Sequence, residues 1–106
     1  MIALHIYLKA KPGQREAIER CYREDYVPAI TIQQGFRSTT LLRPYDPATA
    51  QRIGAVTAEF DYEIDIAFDT EDQRMRWALG PEHQVCWPKM EALCERIVWE
   101  GFDVVA

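Results

Sequence analysis

Apolar and polar residues alternate through residues 2–10. Leu4, Ile6 and Leu8 point one way, while Ala3, His5, Tyr7 and Lys9 point the other, which is the period-two signature of a strand. Lys11-Pro12-Gly13 is a turn. Over residues 14–30 the period becomes helical, with Ala17, Ile18, Cys21, Tyr22, Tyr26 and Ala29 on the buried side. Pro28 is expected to disturb the last turn of that helix. Gly35 turns the chain into a second strand over residues 36–43. Residues 44–54 form the one loop of length: Tyr45-Asp46-Pro47 is turn chemistry, and residues 48–52 have room for a helical turn. A third strand over residues 57–68 has the cleanest pattern. Ala58, Phe60, Tyr62, Ile64, Ile66 and Phe68 form one face; Glu59, Asp61, Glu63 and Asp65 form the other.

Residues 69–95 predict a helix in two pieces. Thr70 and Gln73 match a capping box, Gly80 ends the first piece and Pro81 restarts it. Cys86, Trp87, Met90, Leu93 and Cys94 form an apolar stripe with His83 on or beside it. A fourth strand follows over residues 97–105. The order β-α-β-β-α-β is the split βαβ, ferredoxin-like α+β arrangement with a four-stranded antiparallel sheet. It places strand three between one and two, with strand four beside one. Helices cover the apolar face of strand three. The open face is expected to carry His5, Tyr7 and Lys9, the acidic row Glu59, Asp61, Glu63 and Asp65, and Arg37, Thr39, Leu41 and Arg43, with Trp99 if its phase allows. Leu41 and Tyr7 suit a covered face better than water, so a homodimer stacked through this face is expected.

A chain of 106 residues with 48% apolar and 27% charged residues predicts a single domain, residues 1–106. The net charge of −5 argues against nucleic-acid and anionic-membrane partners. Cys21, Cys86 and Cys94 are odd in number and sit among apolar residues, as buried thiols do in a reducing compartment, so a cytoplasmic location is expected. No apolar run approaches a membrane span. The first ten residues read as a strand, with no basic region or cleavage site of a signal peptide.

The sheet pattern and the run Trp77-Ala-Leu-Gly-Pro-Glu-His83-Gln-Val-Cys-Trp87 resemble the antibiotic-biosynthesis-monooxygenase family of dimeric α/β barrels. Gly35-Phe36 and Gly101-Phe102 resemble its usual turn and final strand. The resemblance covers nearly the whole chain through short, permissive motifs. It implies a dimeric α/β barrel and diverse activities: oxidation of phenols by molecular oxygen without metal or flavin, haem degradation, or no known activity. The haem-degrading branch implies an Asn on strand one, where this chain has His5 and Tyr7, and a haem-ligating His farther along than His83 is from Trp77.

His83 and Trp77 are the catalytic candidates, because His is the side chain most easily poised near neutral pH and a Trp packs well on an aromatic ring. The alternative is a capping His and a core Trp. Trp87, Tyr7 and His5 are candidates for substrate binding, with core packing the alternative for Trp87 and ion pairing against the acidic row for the others. No metal or cofactor is expected. Alternating strand positions lie about 6.6–7 Å apart, too far to share an ion at about 2.0–2.6 Å. The expected activity is a cofactor-independent monooxygenase acting on a small aromatic or quinol-type molecule. The competing expectation is a non-catalytic binding or structural homodimer.

Overall fold

The computed structural model describes residues 1–106. Strands β1 (Ile2–Ala10), β2 (Phe36–Leu42), β3 (Tyr62–Phe68) and β4 (Cys94–Asp103) form one antiparallel sheet in the order β2-β3-β1-β4. This is the expected α+β, ferredoxin-like sheet. One face is packed by helices α1 (Arg15–Cys21) and α2 (Val27–Ile30), and by α4 (Glu71–Leu79) and α5 (Pro81–Glu91). Helix α3 (Pro47–Arg52) is the turn in the long loop, capped by Asp46, whose carboxylate accepts from the Thr49 amide at 3.0 Å. No helix is long and apolar enough to cross a membrane.

The expected phases of β1 and β3 are present. Ile6, Leu8, Tyr62, Ile64, Ile66 and Phe68 are all buried beneath the helices. Tyr26, Trp77 and Met90 fill the other side of that core. The three thiols are buried too, and burial pushes Cys86 and Cys94 up to about 11. They are thiols, not thiolates, at neutral pH.

Several expectations are corrected. Strand three begins at Tyr62, not at residue 57; residues 55–60 lie outside the sheet, and Asp61 joins it only through its amide, which donates to the Leu8 carbonyl at 2.9 Å. Glu59 is therefore not in the acidic row. Asp61 turns to the sheet's end, where it accepts from the Ala10 amide at 2.8 Å and from Arg15 at 2.6 Å. The phase of β2 is reversed by an irregularity between Phe36 and Ser38, since one extra residue moves every later side chain to the other face. Thr39 and Leu41 consequently face the helices: Thr39 bonds the Tyr22 hydroxyl at 3.0 Å and Leu41 packs on the core. Arg37 pairs with Asp69, and Arg43 with Glu19 on α1. The open face instead takes Ser38, Thr40 and Leu42, opposite Ala67, Asp65 and Glu63. Cys94 begins β4 rather than ending the helix, because α5 stops at Glu91.

The long first helix is interrupted by a π-helical turn over Tyr22–Tyr26. Pro28 lacks an N–H and crowds the carbonyl of the preceding turn, and a widened turn just before it relieves that crowding. Only the forward half of the capping box forms: Thr70 Oγ1 accepts from the Gln73 amide at 3.2 Å. The Gln73 side chain lies instead over Gly35, whose φ is +82°. A Cβ at Gly35 would lie 1.9 Å from Gln73 Oε1. Gly35→Ala is therefore expected to lower stability by about 1–3 kcal/mol. Adding Gln73→Ser should recover only part of the loss in a denaturant melt, because the positive φ stays strained. Full recovery would mean that the clash alone makes Gly35 necessary.

Candidate functional site

Helices α4 and α5 meet at Gly80. Its backbone is extended, and the Arg76 carbonyl lies 2.9 Å from where a Cβ would stand. Gln84 donates to the Ala78 carbonyl at 3.3 Å, satisfying one of the last acceptors of α4. The junction aims Trp77 down from α4 and His83 across from α5. Their rings meet edge to face, with centroids 4.9 Å apart. Trp87, one turn after His83, lies nearly parallel to the imidazole with centroids 5.6 Å apart. Tyr26 from the π turn completes the cluster, edge-on to Trp77 at 5.7 Å.

These rings border a cavity of about 250 Å³ between the helices and the sheet. Its sheet wall is Leu4, Ile6, Ile66 and Trp99. Trp99 stands opposite Ile6 on the neighbouring strand, so it faces the helices rather than the open face. All three tryptophans of the chain thus line one space. Trp77 is 2% exposed and is core as well as wall, whereas Trp99 is 62% exposed. A large aromatic left open at the rim of an apolar cavity is not needed to close the core.

The cavity's polar groups are few. Burial, then the positive charge of Arg74, holds the His83 pKa below its ordinary value, so the imidazole is neutral at pH 7. Burial likewise raises the pKa of Tyr26, which is fully enclosed. Arg74 is fixed by Glu71, with Nε donating at 2.8 Å and Nη2 at 2.6 Å. A neutral imidazole beside an apolar void, with a cation behind it, can accept a proton from a bound hydroxyl and steady the resulting anion.

Arg74 and Trp99 were not among the sequence candidates. Arg74 had a usable signal, because it precedes Trp77 by three residues and so shares its helix face. Trp99 had none, since the phase of β4 rests on its register with β1.

Tyr7 and His5, the other two substrate-binding candidates, lie on the opposite face of the sheet from the cavity. Their own strand puts them there, alternating with Ile6 and Leu8. The Tyr7 hydroxyl donates to Glu100 at 3.0 Å. Burial, followed by that bond, pushes its pKa up to about 12. His5 stands opposite Asp65, with Nδ1 3.4 Å from Glu63 and Nε2 3.8 Å from Asp65. Phe102 packs on its ring at 4.6 Å. These strand positions, expected to be too spread to share an ion, do converge in this trio: one ligand atom from each of His5, Glu63 and Asp65 lies within 4.8 Å of the others. Long side chains lean together where backbone spacing alone separates them.

The same convergence acts on Glu63. A hydrogen bond with Asp65, then burial and the charges of Asp65 and Glu100, raise its pKa from 4.5 to about 7. A folded-state pKa above the unfolded one means that Glu63 favours folding below about pH 4.5 and loses that contribution as pH rises through 7. Glu63→Gln is therefore expected to melt above the wild type at pH 8, with the difference shrinking or reversing at pH 5. A pH-independent difference between the two melting curves would assign the effect to packing instead.

No family model matches the sequence, and no curated protein matches it. Solved structures match along the whole chain. A variant of SnoaB, a cofactor-independent oxygenase from Streptomyces nogalater, superposes with a TM-score of 0.77 at 16% identity, covering 99% of this chain and 93% of its own. A putative antibiotic biosynthesis monooxygenase from Nitrosomonas europaea gives 0.77 at 12% identity, covering 100% of both chains. A variant of MhuD with two manganese protoporphyrin IX molecules per active site gives 0.75 at 18% identity, covering 100% of this chain and 96% of its own. At these identities the likeness establishes architecture, and the chain has the fold of the antibiotic-biosynthesis-monooxygenase-like proteins that its sequence resembles.

Proposed function

We propose that this protein is a small oxygenase that uses no bound metal or flavin and acts on an electron-rich aromatic or quinol-type molecule in the tryptophan-lined cavity. The observation that carries the reading is a neutral histidine in ring contact with two tryptophans on the wall of an apolar space with an open aromatic rim. The fold shared with SnoaB is consistent with it. Fold alone does not license it.

In this reading the substrate ring lies against Trp77, Trp87 and Trp99, and His83 takes the proton of its hydroxyl. The phenolate passes one electron to dioxygen, and the radical pair combines at carbon. Loss of water from the peroxide then leaves a quinone carbonyl. The balance is phenol plus O2 to quinone plus H2O, one oxygen atom entering each product. The protein contributes position, a base and charge stabilisation. A cavity of about 250 Å³ lies just under the roughly 300–1,000 Å³ range of pockets for drug-sized ligands. That suits two or three rings better than the paired porphyrins held by MhuD.

The test is oxygen uptake with a panel of naphthols and quinols, read beside tryptophan fluorescence. Uptake above the uncatalysed rate, with label from heavy oxygen in the quinone, is the expected result. Quenched fluorescence without uptake would overturn the oxygenase and leave the competing reading, a protein that binds such molecules without transforming them.

The functional unit in this proposal is a homodimer stacked through the open sheet face. Leu42, Val98 and Phe102 are exposed there beside the His5, Glu63, Asp65 and Glu100 cluster. Apolar side chains on the edge strands β2 and β4 thus flank a charged strip along the central strands, and a face of such mixed make-up is as apolar as non-obligate protein interfaces are. A dimeric mass in light scattering at micromolar concentration is expected, and Phe102→Lys should return a monomer. A monomeric wild type would remove this part of the proposal.

A further inference from the structure

Arg74 forms part of two spaces at once. One is the tryptophan cavity. The other is a groove of about 260 Å³ running past Ile2, Ala3, Gly101 and Phe102. Arg74 and Leu4 are walls of both. The Arg74 side chain is only 15% exposed. Its Nε and one Nη2 hydrogen are committed to Glu71, which leaves the Nη1 pair and the second Nη2 hydrogen of its five donors.

A three-residue-spaced ion pair at a helix start is a weak interaction and does not require the cation to be sunk between two cavities. A purely apolar ligand would seal a guanidinium away from water without repaying it. A ligand that brings its own anion would be held by the free donors in fork geometry, the strongest arrangement Arg offers. Glu71 balances the cation while the cavity is empty. Because it lies mostly in solvent (56% exposed), it is a competitor the ligand's anion can displace in part.

We infer that the ligand of this cavity is an aromatic molecule bearing a carboxylate, with its ring system among the tryptophans and its carboxylate on Arg74 where cavity and groove adjoin. Arg74 is then the residue that sets specificity, and the groove beyond it accommodates whatever extends from the acidic end. This inference rests on the aromatic-site reading above.

The experiment is calorimetric titration of the full-length protein with 1-naphthol and with 1-hydroxy-2-naphthoate, which differ by the carboxylate. Wild type is expected to bind the naphthoate about ten-fold or more tightly than the naphthol, as a charge-assisted bidentate bond implies. Arg74→Gln should erase that preference, so that the two ligands bind with the same affinity. Glu71→Gln keeps Arg74 and removes its competitor, so it should tighten the naphthoate roughly three-fold or more and leave the naphthol unchanged. Equal affinity for both ligands in wild type would overturn the carboxylate and leave the aromatic site standing. Binding of neither would overturn both. If Arg74→Gln does not fold, Glu71→Gln decides: no change in naphthoate affinity overturns the role given to Arg74.

Discussion

Replacing His83 with alanine is expected to cut oxygen-dependent turnover of a phenolic substrate by roughly 10²–10⁴-fold, the usual contribution of a positioned general base. His83 is not a folding determinant on the scale of its neighbours. It is half-buried at the edge of the core, while Trp77, which it touches, is fully enclosed. The loss should therefore appear in rate far more than in melting temperature. His83→Gln sharpens the test, because glutamine retains a polar side chain in the stack but cannot take a proton at neutral pH. It should fall as far as alanine does. The pH profile supplies an independent readout. A base must be neutral to act, and His83 titrates below the ordinary histidine value because of burial and Arg74. Turnover is expected to rise with pH through a midpoint below 6.5 and to be flat above it. Arg74→Gln, by removing the positive charge, should move that midpoint upward. Turnover that survives in His83→Ala, with the same pH profile, would show that the imidazole is packing and not chemistry.

The sequence was most legible where one physical demand set the pattern. β3 must bury one face under the helices, so Tyr62, Ile64, Ile66 and Phe68 alternate with Glu63 and Asp65, and the strand order followed from the element order. β2 was misread because its irregularity between Phe36 and Ser38 leaves no mark that alternation can reveal: Arg37, Thr39 and Leu41 look the same in either phase. The onset of β3 was misread because Ala58 and Phe60 continue the alternation after pairing has ended, and Asp61 has been drawn off to cap the end of β1 and bind Arg15. In the candidate site, the two members on adjoining helices, Trp77 and His83, were visible through the Gly80-Pro81 break that sets their angle. Those that arrive from far away were not. Tyr26 was assigned to the buried side of the first helix, but only the π turn delivers it to this cavity. Trp99 reaches it only through the pairing of β4 with β1. Local periodicity reports which side of an element is buried. It carries no information about which distant burials coincide.

The tryptophans separate stability from function, and Trp77→Ala and Trp99→Ala are expected to behave oppositely. Trp77 is 2% exposed, touches Tyr26 and His83, and belongs to the core cluster. Truncating such a residue removes apolar burial and leaves a cavity behind, at a cost of about 3–5 kcal/mol. A domain of this length has about 5–15 kcal/mol in total, so Trp77→Ala should melt roughly 15–25 °C lower or more and should yield little folded protein at 37 °C. Trp99 is 62% exposed. Its removal leaves no enclosed void, and surface changes stay within about 0.5 kcal/mol. Yet it is the sheet-side wall of the cavity mouth, so Trp99→Ala should weaken binding of a naphthol by about ten-fold through lost ring stacking with almost no change in melting temperature. Trp99→Phe should restore most of that affinity, because it retains a flat apolar face. Thermal melts and ligand titrations on the two alanine variants therefore form a crossed experiment. If Trp99→Ala lost stability and kept affinity, the open tryptophan would belong to the fold or to an interface, and the cavity would lose its mouth as a binding surface.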